Sequence, residues 1–83
     1  MMSLSLDQLP YGVVAAIEEI DWNSLSESEG KRLRNFGIDH GVEVETLHRG
    51  PVGGDPVAVR IGRMTVAIRR NHARAVTVEP RRR

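Results

Sequence analysis

Three histidines, His40, His48 and His72, share the chain with Asp39, Glu43, Glu45 and Asp55, and these side chains are the ligand types of a divalent-metal site. Their spacing argues otherwise. None of the histidines stands at H-x-x-x-H or H-x-H, the spacings that bring two imidazoles onto one face, so they read as exposed residues of turns and a strand end. No metal site is expected. A hydrolase needs a nucleophile with a base in reach, yet the serines gather at the N-terminus and where helix caps belong. Glu18 and Glu19 are neighbours on an expected strand and point to opposite faces, so they cannot act as a carboxylate pair. The absence of cysteine removes thiolate zinc sites, iron-sulfur clusters, a Cys nucleophile and a disulfide framework together. Neither an enzyme activity nor a cofactor is expected.

The glycines of "GPVGGDPVAVRIGRMTVAIRR", Gly50 to Arg70, raise the possibility of a phosphate cradle. A P-loop follows its glycines with Lys and Ser or Thr, which neutralise phosphate and hold magnesium; here Gly53 and Gly54 lead into Asp55-Pro56, whose carboxylate repels phosphate. Val57, Val59 and Ile61 then share one face at period 2, and Met64, Val66 and Ile68 another run of the same kind. Gly62-Arg63 between them suits a type II′ turn, so the stretch is a β-hairpin.

The elements on either side follow from the same rules. Leu4, Leu6 and Leu9 form an arm that packs leucines before Pro10 and Gly12. A first long strand carries Val13, Ala15 and Ile17 inward, and the out-of-phase Ile20 asks for a bulge. Two capping boxes in series, Ser24 with Glu27 and Ser26 with Glu29, open a helix from about Ser26 or Glu27 to Phe36, weakened at Gly30. Gly37 ends it, with Ile38 closing a Schellman cap. Val42 and Val44 point inward on the next strand, while the out-of-phase Leu47 implies another bulge or a strand that changes face. After the hairpin, "RRNHARA" makes one helical turn and "VTVEP" a last strand with Val76 and Val78 inward.

About five short strands, one short α-helix between the first and second, and frequent glycine punctuation describe a mostly β, small SH3-like barrel. The short strands and the helix position favour SH3-like closure over an oligonucleotide-binding barrel. Residues 1–80 form one domain, because 83 residues cannot support two cores, and Arg81 to Arg83 make a disordered basic tail. The N-terminus lacks a signal-peptide pattern and no apolar run approaches the ~20 residues of a membrane span, which fits a cytoplasmic protein.

Charge is uneven along the chain. Residues 1 to 48 hold nine acids and three bases, whereas residues 49 to 83 hold two acids and nine arginines. Cross-strand pairing of Glu43 and Glu45 with Arg60 accounts for part of it. A nucleic-acid-binding barrel using those arginines is the alternative, but Tyr11, Trp22 and Phe36 are not interleaved with arginines, so no nucleic acid is expected.

In order and spacing, "LPYG", "RLRNFGIDHG", "GGDPVAVRIG" and "VAIRRNHARAVTVEP" resemble the FeoA family, the small ferrous-iron transport protein A, over nearly the whole chain. The resemblance implies an SH3-like barrel that works with the ferrous-iron permease, a membrane protein with a cytosolic G-protein domain. Its implied role is accessory, docking on the permease or tuning uptake without chemistry of its own, so membrane association arises only through the partner. The chain departs from the family in extra polar length around Trp22 to Gly30. It also resembles the C-terminal SH3-like domain of iron- or manganese-dependent repressors, which leaves a divalent-metal-responsive regulatory domain as a further alternative. For partner binding the expected residues are apolar side chains on loops, Trp22, Ile38, Pro51 and Val52, with Arg63, Arg69 and Arg70 around them. The protein is expected to be a monomer or weak homo-oligomer.

Overall fold

Leucines seal the core before the first long strand begins. In the computed structural model, which describes residues 3–81, Leu4–Ser5 form a short strand, β1, and Leu6–Gln8 a 3-10 turn, with Leu6 and Leu9 fully buried. β1 is the strand that the sequence reading omitted: Leu4 lies opposite Val78 and Ser5 opposite Thr77, so the arm adds a sixth strand to the five expected.

β2, Val14–Ile20, buries Ala15 and Ile17. Its register against the last strand slips between Ile17 and Glu19, the bulge that the phase of Ile20 demands. A 3-10 turn, Trp22–Ser24, then leads into α1, Glu27–Asn35. Only the second capping box forms. The Glu29 amide donates to Ser26 Oγ at 3.1 Å and the Ser26 amide to Glu29 Oε1 at 3.0 Å, while Ser24 Oγ turns back to donate to the Asp21 carbonyl at 2.9 Å. At the other end Gly37 takes φ +87, its amide bonds the Arg34 carbonyl at 2.9 Å, and the Ile38 amide bonds the Leu33 carbonyl at 3.0 Å. This is the Schellman cap, and it drives Ile38 and Leu33 into the core together.

Gly30 sits beneath Trp22. A methyl there would meet the indole at 3.5 Å, an ordinary contact, and Gly30 does not hold a left-handed backbone. Gly30→Ala is therefore expected to stabilise the protein by about 0.5–1 kcal/mol through helix propensity alone. A urea midpoint that rises at unchanged slope checks it; a lower midpoint means that the indole cannot accommodate the methyl.

β3, Glu43–Val52, and β4, Asp55–Ile61, are joined by Gly53 and Gly54 with φ of 64 and 77, a tight hairpin turn. β3 bulges between Thr46 and His48. Thr46 takes the core position after Val44 with no solvent exposure, and Leu47 is displaced to a half-buried site outside the alternation. β5, Met64–Ile68, returns from β4 through Gly62-Arg63, where φ is positive at Gly62 only, as a type II′ turn requires. Val57, Val59, Ile61 and Ile68 are buried as expected. Val13, Val42 and Val66 are only partly so, and Met64, at the hairpin rim beyond the core, is 46% exposed.

α2, Arg70–Ala73, precedes β6, Val76–Pro80, which fits between β1 and β2. The strands form one antiparallel sheet in the order β1-β6-β2-β3-β4-β5. Side chains from β2 to β6 meet Leu6, Leu9, Leu33, Ile38 and Ala73 in a single buried cluster, so the sheet wraps round one core. Arg81, the first residue of the expected tail, donates its amide to the Val14 carbonyl at 2.8 Å and sets its guanidinium 3.1 Å from Glu43. Arg82 and Arg83 lie outside the described residues.

Candidate partner-binding surface

The tip of the β3–β4 hairpin carries the most exposed large apolar side chain among the described residues, Val52, with Pro51 beside it. Both were expected on a long loop. They belong instead to the end of β3, where Val52 lies opposite Asp55. The tip is held from below by arginines. Arg70 donates from Nη1 to the Gly53 carbonyl at 2.7 Å, and its backbone amide donates to Asp55 Oδ1 at 3.0 Å. Arg49 donates from Nη2 to the carbonyls of Asp7 and Leu9, at 2.9 and 2.8 Å, and lays its guanidinium 4.9 Å from the Tyr11 ring centroid.

Asp7 joins these parts. Its side chain is 3% exposed, Ser5 Oγ donates to it, and Arg74 Nε and Arg70 Nε stand at 3.5 and 3.7 Å from its Oδ2. Those two distances allow charge attraction rather than tight hydrogen bonds, and both arginines are substantially solvated, so each pair is weak on its own. Their combined effect is positional: the arm, α2 and the tip are tied to one carboxylate.

The seven residues expected to bind a partner are therefore not one patch. Pro51, Val52 and Arg69 lie towards the tip end, whereas Arg63 occupies the turn at the far end of β4, about 20 Å away along a seven-residue strand. Ile38 is 1% exposed, because the Schellman cap turns it inward, and it cannot touch a partner. Arg70 is committed to Gly53 and Asp7 and acts as a brace for the tip. Trp22 packs partly on the core, carries Arg34 at 4.3 Å over its ring, and lines a cleft of ≈ 500 Å³ with Glu19, Asp21, Asn23 and Arg74.

Asp7 and Arg49 went unnoticed in the sequence, and so did the 56% exposure of Tyr11. Tyr11, Trp22 and Phe36 are not interleaved with arginines along the chain, yet in the fold each carries one over its ring, the last being Arg32 at 5.4 Å. Interleaving along the chain does not register partners that meet only after folding. Cross-strand pairing holds for Glu45, whose carboxylate lies 3.1 Å from Arg60, while Glu43 takes Arg81 instead.

His72 is not the exposed turn residue expected. It lies on α2 with its side chain 12% exposed and Nε2 at 2.9 Å from Glu29 Oε2. Among the described residues no group of three His, Asp or Glu is assembled to hold a metal ion, and no helix is long and apolar enough to cross a membrane.

Glu29 thus serves both the helix cap and His72. The Ser26 amide is the largest influence on its carboxyl, burial opposes it in part, and His72 adds to it, leaving the pKa below its ordinary 4.5. A carboxyl whose pKa is depressed by folding contributes stability above the unfolded value and loses it as pH falls through the folded one. The stability difference between the wild type and Glu29→Gln, which keeps a neutral cap acceptor, should be open at about pH 5.5 and close towards about pH 3. Parallel urea curves at several pH values measure it; a gap constant through that window removes the ionised Glu29 from the account.

The described fold has extensive counterparts. A model of the FeoA domain matches residues 4–80. Among solved structures, Stenotrophomonas maltophilia FeoA complexed with zinc, described as a procaryotic SH3 domain protein, shares 33% identity at a TM-score of 0.76, covering 95% of this chain and 91% of that one. An iron uptake regulatory protein, also a FeoA, superposes at a TM-score of 0.80 with 20% identity over 95% of this chain and 99% of its own. A manganese-dependent transcriptional repressor matches at 0.80 with 19% identity, covering 94% of this chain but 41% of the repressor, a likeness of fold alone. Among curated proteins none matches the chain. With the SH3-like barrel in place and the family pattern running from β1 to the end of β6, the chain belongs to the FeoA family.

Proposed function

We propose that this protein is a non-enzymatic, cytoplasmic accessory factor of ferrous-iron uptake that docks on the cytosolic G-protein domain of the ferrous-iron permease. Residues 1–80 act as one domain in this reading. The observation that carries it is the family match across residues 4–80, joined to 33% identity with a FeoA described as a candidate ferrous-iron transport activating factor. The shape of the molecule suits docking better than chemistry. Its interior is filled with aliphatic side chains, whereas the braced tip presents Val52 and Pro51 to solvent at little entropic cost. Pro51, Val52 and Arg69 are assigned to the contact. Arg63, at the far end of β4, contributes only to a partner large enough to span both ends, and Trp22 lines a cleft of its own with Arg74.

Titration of the purified permease G-protein domain against the protein tests the docking. Saturable binding weakened tenfold or more by Val52→Asp is expected, since an apolar anchor at an interface centre is worth roughly 1–3 kcal/mol. No binding at high micromolar concentrations counts against direct contact.

A further inference from the structure

β5 ends the sheet and pairs with β4 alone. Its register places Ile61 opposite Met64 across a two-residue turn, so the backbones of Met64, Val66 and Ile68 bond β4 while those of Thr65 and Ala67 face outward. Among the described residues no hydrogen bond reaches the outward amides or carbonyls of Thr65 and Ala67, and both residues are exposed. The strand "MTVAI" contains no proline and no charge, the features that usually blunt an open edge. It is a free template for another strand.

The charges around it decide which strand. Arg63 stands immediately before β5 and Arg69 immediately after it, and Arg32 joins Arg69, Ala67, Pro56 and Asp55 around a cleft of ≈ 340 Å³ beside the outer face. None of these three arginines takes part in an ion pair among the described residues. The one carboxylate in the cleft, Asp55, already accepts the Arg70 amide. A second copy of this chain fits poorly. Antiparallel self-pairing centred on Val66, the register that covers all of β5, sets Arg63 opposite Arg69 of the copy at both ends, and like charges directly opposite are destabilising. The same two arginines favour a strand with carboxylates at its ends.

We propose that the free edge of β5 binds an extended acidic segment of another protein by strand addition. Backbone bonds to Thr65 and Ala67 supply the attachment, and Arg63, Arg69 and Arg32 select carboxylates flanking a short β-branched stretch. The inference goes beyond permease docking: Arg69 is common to both surfaces, but the attachment at Thr65 and Ala67 uses none of the residues assigned to the permease contact and its test uses no permease, so either reading can fail while the other stands.

The probe is a synthetic capped peptide, Asp-Glu-Val-Thr-Val-Thr-Val-Glu-Asp, with a control in which every acid is Lys. Amide hydrogen exchange of the full chain should show the Thr65 and Ala67 amides slowed about tenfold or more by the acidic peptide, against little change with the basic one. Ala67→Pro removes an outward N–H without touching the β4 ladder and should abolish the protection. Should that variant fold poorly, Arg63→Glu with Arg69→Glu, both exposed, should reverse the preference towards the Lys peptide. Four results would each overturn the proposal: no saturation by about 1 mM peptide, protection mapped to the hairpin tip or Trp22 instead of β5, equal binding of acidic and basic peptides, or concentration-dependent protection of Thr65 and Ala67 without peptide, which would mark a homodimer edge.

Discussion

Gly50→Ala is expected to lower stability by about 2–4 kcal/mol, more than any other single-methyl addition in the hairpin. A Cβ at position 50 would fall 2.2 Å from the Asp55 carbonyl oxygen and 2.6 Å from its carbon. Both atoms are backbone, and no rotamer change removes the overlap. Moving Asp55 away would also disturb its bond with the Arg70 amide, the Val52–Asp55 pairing, and so the brace beneath Val52. Gly53→Ala is the control. Position 53 has φ +64 with nothing within 4 Å, so its methyl incurs only the left-handed penalty of about 1–2 kcal/mol. Urea unfolding of both variants decides the matter; equal losses would mean that the tip is not packed as described.

Leu6→Ala is expected to cost about 2–5 kcal/mol, the range for removing a fully buried leucine. For a domain of this size that is a large share of a net stability of about 4–12 kcal/mol, and the melting temperature should fall by about 10 °C or more. The size of the loss reports on the arm. Leu6 lies in the 3-10 turn after β1 and packs in the same cluster as Ile17, Val57 and Val78, so its truncation opens a cavity at the junction of arm and sheet. An arm merely resting on the barrel could relax into the space, and the loss would then stay under about 1 kcal/mol.

What was legible in the chain was whatever is decided within a few residues. Val57, Val59 and Ile61 alternate before Gly62, and only a strand turning there keeps all three dry. Ser26 with Glu29, and Gly37 with Ile38, carry their capping partners three to five positions away, so the helix ends were readable too. Phase faults at Ile20 and Leu47 announced the bulges, although they did not reveal that Thr46 would enter the core with its hydroxyl unpartnered. The candidate surface was less readable, because its geometry depends on arginines choosing partners far off in the chain. Arg49 finds Leu9 and Arg70 finds Asp7, pairings that no period or motif encodes and that exist only once the sheet has coiled. Ile38 shows the same limit from the other side: the cap that made it recognisable also removed it from the surface.

Asp7 couples three segments remote in sequence, and this gives the molecule a mechanical property. The arm, the α2 turn and the hairpin tip share one anchoring group, so they should open as one cooperative unit, their amides exchanging together rather than in succession. A ligand that grips Val52 would accordingly damp fluctuations at the Leu4–Val78 rung, and occupancy of the tip would be sensed at the β1 edge of the sheet without any change in mean shape.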